Sequence, residues 1–251
     1  MIYLWPLISA LIPIFALIVY IYWCDKHSPE PISQLIKATM YGVLSIFLSL
    51  CMSIPAQYMG LYPEDPANFI DGIRTAFYGA AIPEELAKLA MLWLLLRKKT
   101  FQHRLDGIVY AVCISLGFAG LENILYVIES EEWVSTAILR AITAVPGHFC
   151  FAVTMGYFYS LVKLSKHDRT RNILCLIVVP IMLHGIYDAI LFVASTLSSW
   201  VSVALIPLFC VFCYKMWKGA SKAIKTHNNT DQFNSLQFFD TEIEDPNDTQ
   251  A

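Results

Sequence analysis

Glu84 and Glu85 stand side by side, with Lys88 one helical turn on, inside an apolar run over 76–96. A charge at the centre of a bilayer costs several kcal/mol, so those retained inside a span face a bundle interior and mark function. Two neighbouring carboxylates are harder still to place, because like charges that close resist ionising together. Glu84 and Lys88 are four residues apart, so they share a helix face and pair in the favourable acid-before-base order. Glu85 points about 100° away on the same helix. One glutamate can therefore be held ionised by Lys88 while the other serves as a general base or acid. Which one does which, this spacing leaves open.

Three more blocks add partners. His184 and Asp188 lie four residues apart, so the carboxylate can orient the imidazole or both can face a third group. His148 follows Pro146-Gly147, and a proline there leaves the carbonyl of Ile142 without its helical donor. Glu122 and Asn123 follow Gly117 and Gly120, a pattern that also suits plain interhelical hydrogen bonding on a close-packed face. Arg140, on what reads as an interfacial segment, needs no function. Counted from the positively charged end of each span at a rise of about 1.5 Å per residue, these groups fall about 17–26 Å deep. Polar residues inserted at random would scatter in depth. A shared, water-accessible site near mid-membrane explains the coincidence.

The elements that must position them are helices in a membrane. The chain has 251 residues, 57% hydrophobic and 15% charged, well away from the soluble norm of about 45–50% apolar and about 25% charged. Its mean hydropathy is +0.56. Continuous apolar runs exclude an alternating outer-membrane barrel. The composition predicts an all-α polytopic protein. At about 20 apolar residues per crossing, about seven spans emerge, over 2–23, 35–59, 73–96, 107–128, 134–162, 173–195 and 200–217. The first reads as a retained span rather than a cleaved leader. The long fifth reads as an interfacial helix and then a span, with Pro146-Gly147 as the break.

Loop charge sets the orientation. Arg97, Lys98, Lys99 and Arg104, then Lys163, Lys166, Arg169 and Arg171, then Lys215, Lys218, Lys222 and Lys225 occupy every second loop. The intervening loops are acidic or neutral. Positive charge marks the cytoplasmic side, which predicts the N-terminus outside and the C-terminus cytoplasmic. Residues 1–225 would form the bundle. The stretch 226–251 holds six carboxylates and no Lys or Arg, and reads as a disordered cytoplasmic tail. No basic patch suggests nucleic acid. The seven cysteines lie in or beside apolar segments, including one CxxC at Cys210 and Cys213, and read as core residues rather than a disulfide framework.

No HExxH is present, and neither a GxSG serine of rhomboid type nor a GxGD aspartate of presenilin type occurs. The blocks that are present, Glu84-Glu85-x-x-Lys88, Asp106-Gly107-Ile108-Val109-Tyr110 leading to Leu116-Gly117-Phe118-Ala119-x-x-Glu122-Asn123, Val145-Pro146-Gly147-His148, and His184-Gly185-Ile186-Tyr187-Asp188, resemble the signatures of the PrsW family. The likeness runs over roughly 25–191, in order and on successive helices. That family belongs to a clan similar to the CAAX prenyl proteases and bacteriocin-processing enzymes. The resemblance implies an intramembrane protease of the bacterial inner membrane, whose best-known member makes the first cut in a membrane-spanning anti-sigma factor. It implies catalytic roles for Glu84, Glu85, His148 and His184. Two departures from the wider clan stand out. There the basic residue stands four after the second glutamate, whereas here Lys88 stands four after the first, and Asp188 takes a place where many members carry Asn.

The expected chemistry is hydrolysis of a peptide bond in a membrane-spanning protein. One of Glu84 and Glu85 would activate water, with His148 orienting it, and His184 with Asp188 would stabilise the oxyanion. Lys88, Glu122 and Asn123 would support them. Glu85, His148 and His184 could instead hold Zn²⁺, whose bound water has a pKa near ~7. The metal-free glutamate route is preferred, and the oligomeric state is open. A proton-coupled transporter or channel could use the same buried groups, although the internal repeats expected of one are missing. A membrane lipid hydrolase would share the chemistry and differ in substrate.

Overall fold

A computed structural model describes residues 4–97, 103–165 and 168–243, with side chains to Asn234. Lys98, Lys99 and Lys166, on which part of the loop-charge pattern rests, lie outside the described residues, as do residues 244–251 of the acidic stretch. Among the described residues the chain is helical with no strand. In order come α1 (Leu4–Cys24), α2 (Ile32–Tyr58), α3 (Phe69–Arg74), a π-helical segment (Thr75–Ala81), α4 (Ile82–Leu96), α5 (Arg104–Glu129), α6 (Trp133–Ile142), α7 (Ala144–Leu164), α8 (Arg169–Thr196) and α9 (Ser199–Ile243).

Six of these helical stretches are long and apolar enough to cross a membrane. The expected third span, over 73–96, is not among them as one helix. It is built from three pieces in unbroken succession, α3, the π segment and α4. Pro83 explains the break in register. It has no N–H to donate, and its ring would strike the carbonyl four residues back in a regular α-helix. A π register just before it, in which the Ile82 N–H reaches Phe77 O, shifts that carbonyl aside. The wide turn delivers Glu84 and Glu85 into the first turn of α4.

The fifth span is also divided, at a different place than expected. The non-helical residue is Thr143 (φ −123°, ψ −69°), three residues before Pro146. Proline sits comfortably in the first turn of a helix, where its missing N–H would lack a partner anyway. So Pro146 belongs to the start of α7 and the chain bends upstream of it.

Helix α5 is the centre, with 78% of its most apolar window buried inside the bundle. Helices α1, α2 and α7 pack around it. α2 turns a stripe of small residues inward, Ala38, Gly42, Ser45, Ser49 and Ser53. Ser45 and Ser49 satisfy their hydroxyls on carbonyls three residues back, at 2.6 and 2.8 Å. Gly117 on α5 lies so close to the Thr39 carbonyl that a Cβ could not be added, and the same holds for Gly42 against Ile114. Backbones approach this closely in lipid when small residues line the seam.

Helix α9 continues through 226–243, part of the stretch that reads as a tail. Its Asp231 carboxylate accepts from the main-chain N–H groups of Arg104 and Leu105, both at 2.9 Å, at the start of α5. His227 is buried and stacks on Tyr157 with ring centres 4.2 Å apart. All seven cysteines are free.

Candidate active site

The π turn aims the two glutamates differently. Glu85 is 2% exposed, and both His184 Nδ1 and Lys88 Nζ converge on its Oε1, at 2.9 and 2.8 Å. Its other oxygen, Oε2, is buried without a hydrogen-bond partner among the described residues. Glu84 is 14% exposed and lines a cavity of about 260 Å³. Lys88 Nζ reaches Glu84 Oε2 as well, at 3.2 Å. The side-chain spacing suggests a Lys88 pair with Glu84 alone. Instead the ammonium bridges both carboxylates, closer to Glu85, because the i+3 and i+4 positions both lie within reach of a long, flexible amine.

The same ammonium lies 3.3 Å from His148 Nδ1 and 4.1 Å from the centre of the Phe118 ring. A lysine ammonium has no acceptor, so His148 Nδ1 must offer its lone pair. The ring hydrogen is then on Nε2, which donates to Glu122 Oε2 at 2.9 Å. His148 sits in the first turn of α7, beyond the Thr143 bend, and Ser115 of α5 donates to its carbonyl at 3.0 Å.

His184, one turn after Pro180 on α8, has carboxylates at both nitrogens. Glu85 is at Nδ1, and Asp188 Oδ2 lies 3.1 Å from Nε2, with Glu84 Oε2 at 4.0 Å. Both nitrogens can donate only when the ring carries a positive charge. Phe151 stacks flat on it, ring centres 4.7 Å apart, and His148 meets it edge-on at 5.5 Å. Glu84, Glu122, His148, His184 and Asp188 all line the one cavity.

Seven of the eight residues expected at the site, Lys88 among them, thus make a continuous polar network across α4, α5, α7 and α8. Asn123 is different. It is fully buried and ties helices together, donating from Nδ2 to Ala10 O of α1 at 2.7 Å. Arg140 of α6 also belongs to the network, contrary to its reading as a functionless interfacial residue. Its Nη2 lies 3.0 Å from Glu122 Oε2, and its Nε donates to Asn123 Oδ1 at 2.6 Å. A sequence signal was present. An arginine stands on an amphipathic segment just before the break, eighteen residues from Glu122.

Comparison with known proteins now bears on the same residues. The profile of the family described as PrsW family intramembrane metalloprotease matches residues 30–214, which include every site residue above. Protease PrsW of Clostridioides difficile (strain 630) is 32% identical over 219 residues, covering 83% of this chain and 85% of the relative. Protease PrsW of Geobacillus kaustophilus (strain HTA426) is 34% identical over 190 residues, 75% of this chain and 80% of the relative. Protease PrsW of Bacillus subtilis (strain 168) is 31% identical over 232 residues, 90% and 97% of the two chains. No solved structure matches. The chain belongs to the PrsW family of intramembrane proteases.

Proposed function

We propose that the chain hydrolyses a peptide bond of a membrane-spanning protein, using water activated by Glu84. The observation that carries this reading is the division of labour between the glutamates. Glu84 opens on the cavity, whereas Glu85 is enclosed by Lys88 and His184. A base must reach its proton, and Glu84 is the carboxylate with access. It takes a proton from water as the hydroxide oxygen bonds to the substrate carbonyl carbon. The charge that develops on the carbonyl oxygen faces His184, whose positive ring is held between Glu85 and Asp188. When the C–N bond breaks, Glu84 returns its proton to the leaving nitrogen. His148 and Glu122 form the opposite wall and fix the water's approach.

The family description implies a resident metal ion. Glu84, Glu85 and His184 do offer one donor each within 4.8 Å of one another. However, the Lys88 ammonium already bridges the two carboxylates, at 2.8 and 3.2 Å. His184 turns Nδ1 to Glu85 and Nε2 towards Asp188 and Glu84, so no single imidazole nitrogen faces both glutamates. A divalent ion between them would meet the ammonium at contact distance, and like charges there repel strongly. The residues as arranged fit an ammonium and do not fit a metal ion. Every step above therefore runs through side chains.

In the membrane, the segment 69–96 would supply a further crossing beside the six apolar helical stretches, giving seven. Loop charge then sets the N-terminus outside and the C-terminus in the cytoplasm of a bacterium, in its inner membrane. The substrate would be a single-span protein cut at or within the bilayer.

The test is a purified enzyme in vesicles with three readouts: cleavage of a single-span reporter, release of fatty acid from the vesicle lipid, and proton flux. The reading expects peptide cleavage alone, unchanged after dialysis against a zinc chelator. Flux or lipid release that disappears in Glu84→Gln, without peptide cleavage, would move the site to transport or lipolysis.

A further inference from the structure

Arg140 lies outside the glutamate and histidine motifs, on a helix that the bend at Thr143 separates from α7. Its guanidinium is nonetheless fixed at three points. Nη2 meets Glu122 Oε2 at 3.0 Å, Nε meets Asn123 Oδ1 at 2.6 Å, and the group lies 4.1 Å from the centre of the Tyr126 ring. Asn123 is itself immovable, being fully buried and bonded to the main chain of α1 at 2.7 Å. The fork of Arg140 therefore transmits the position of a rigid anchor to one carboxylate oxygen.

That oxygen is the one His148 uses. Glu122 Oε2 accepts from His148 Nε2 at 2.9 Å, while Lys88 approaches the other nitrogen at 3.3 Å. His148 is held between a cation at Nδ1 and an anion at Nε2. If Glu122 had no other cation, its carboxylate would be free to turn, and the imidazole would lose the partner that fixes its face towards the cavity.

We propose that Arg140 is a positioning residue for the hydrolytic site. It clamps Glu122 so that His148 presents one tautomer in one orientation, and it makes α6 part of the active centre. The inference rests on the protease reading given above. Lysine cannot replace the arginine, because a single ammonium cannot satisfy Asn123 and Glu122 together in the geometry of the planar fork. Outer-shell partners of this kind change activity by about ten- to a hundredfold.

The test uses the full-length enzyme in vesicles with the single-span reporter, comparing wild type, Arg140→Ala, Arg140→Gln, Arg140→Lys, Glu122→Gln and Glu122→Gln/Arg140→Ala, with Glu84→Gln as the control. Arg140→Ala should lose kcat by about ten- to a hundredfold with KM changed less than about twofold. Arg140→Lys should be nearly as slow. Millimolar guanidinium should restore part of the rate to Arg140→Ala, while methylammonium at the same concentration should not. In the Glu122→Gln background the arginine change should add less than about twofold, since the two act as one unit. A purely structural role would give no guanidinium rescue and losses that multiply. If Arg140→Ala fails to accumulate, Arg140→Gln carries the same expectations.

Wild-type kcat in Arg140→Gln, or independent losses in the double variant, overturns the inference. If Glu84→Gln is inactive while the arginine variants are normal, this inference alone falls. If Glu84→Gln cleaves like wild type, the protease reading falls and takes it along.

Discussion

Two buried polar clusters lie at different levels of the bundle, and they are built from different partners. At the cavity, Glu84, Glu85, Glu122 and Asp188 meet the side chains of Lys88, Arg140, His148 and His184. At the end of α5 nearest α9, acidic groups meet main-chain N–H groups and a phenol, with the His103 ring 3.9 Å from Asp106. Asp25 Oδ2 accepts from Glu30 N–H at 3.2 Å, Asp106 Oδ2 from His103 N–H at 3.2 Å, and Glu30 Oε2 from Tyr110 O–H at 2.5 Å. Asp231 accepts the two N–H groups that open α5. Main-chain donors are fixed by the helix that carries them, so this second cluster locks elements together. Side-chain cations and imidazoles can exchange protons and follow a changing charge. Both regions are acidic and largely buried, yet the first is built from side chains that can exchange protons and the second from contacts that join the α1–α2 loop, α5 and α9.

Breaking the contrast at the cavity should cost the most. His184→Ala removes the positive ring beside Glu84, and its rate on the single-span reporter should fall about 10²–10³-fold, the usual loss for an oxyanion donor. Next comes Lys88→Met. It leaves Glu85, at 2% exposure, without its ammonium, and unpaired buried charges cost about 3–5 kcal/mol. Thermal unfolding in detergent should show that loss, and adding Glu85→Gln should recover part of it.

At the other cluster the effects should appear in stability and spare the chemistry. Asp231→Ala removes an anion that caps α5, at a cost of about 1 kcal/mol, the size of an N-cap loss. The rate per folded enzyme should be unchanged.

The smallest effect concerns pH. Burial raises the Asp25 carboxyl to about 7. The fold therefore favours its protonated form, so the native state keeps a proton that an unfolded chain releases near its ordinary value of about 4. Stability from this group is complete below that value and is lost as pH rises towards 7. Asp25→Asn, which keeps an acceptor for the Glu30 N–H, should flatten the decline in unfolding temperature across that window. An unchanged slope would mean that Asp25 is ionised in the native protein.

Much of this could be read from residue order. The i, i+4 spacing of His184 and Asp188 and the shared depth of Glu84, Glu122 and His148 depend on helical periodicity alone, and these groups do meet. Other features depend on what lies across from them. The π segment arises from Pro83 inside a helix that continues on both sides, and a proline in sequence equally well signals an end or a kink. Lys88 bridges both glutamates because its amine is flexible, a choice that spacing cannot rank. Arg140 reads from sequence as an interfacial residue without a function because its own segment is amphipathic, and its partners sit on another helix. The extension of α9 is polar enough to suit water, and its contact with α5 joins residues 127 apart in sequence.

The central claim is that Glu84 and Glu85 have separate tasks. Single-turnover cleavage by purified Glu84→Gln and Glu85→Gln, with unfolding temperatures measured on the same samples, addresses it most directly. Glu84→Gln should unfold like wild type and lose about 10²–10⁴-fold in rate, the range for a general base. Glu85→Gln should unfold at a lower temperature, because Lys88 then lacks its nearer counter-charge. A Glu84→Gln enzyme that cuts at the wild-type rate, or a Glu85→Gln enzyme that is fully stable and alone inactive, would contradict the account.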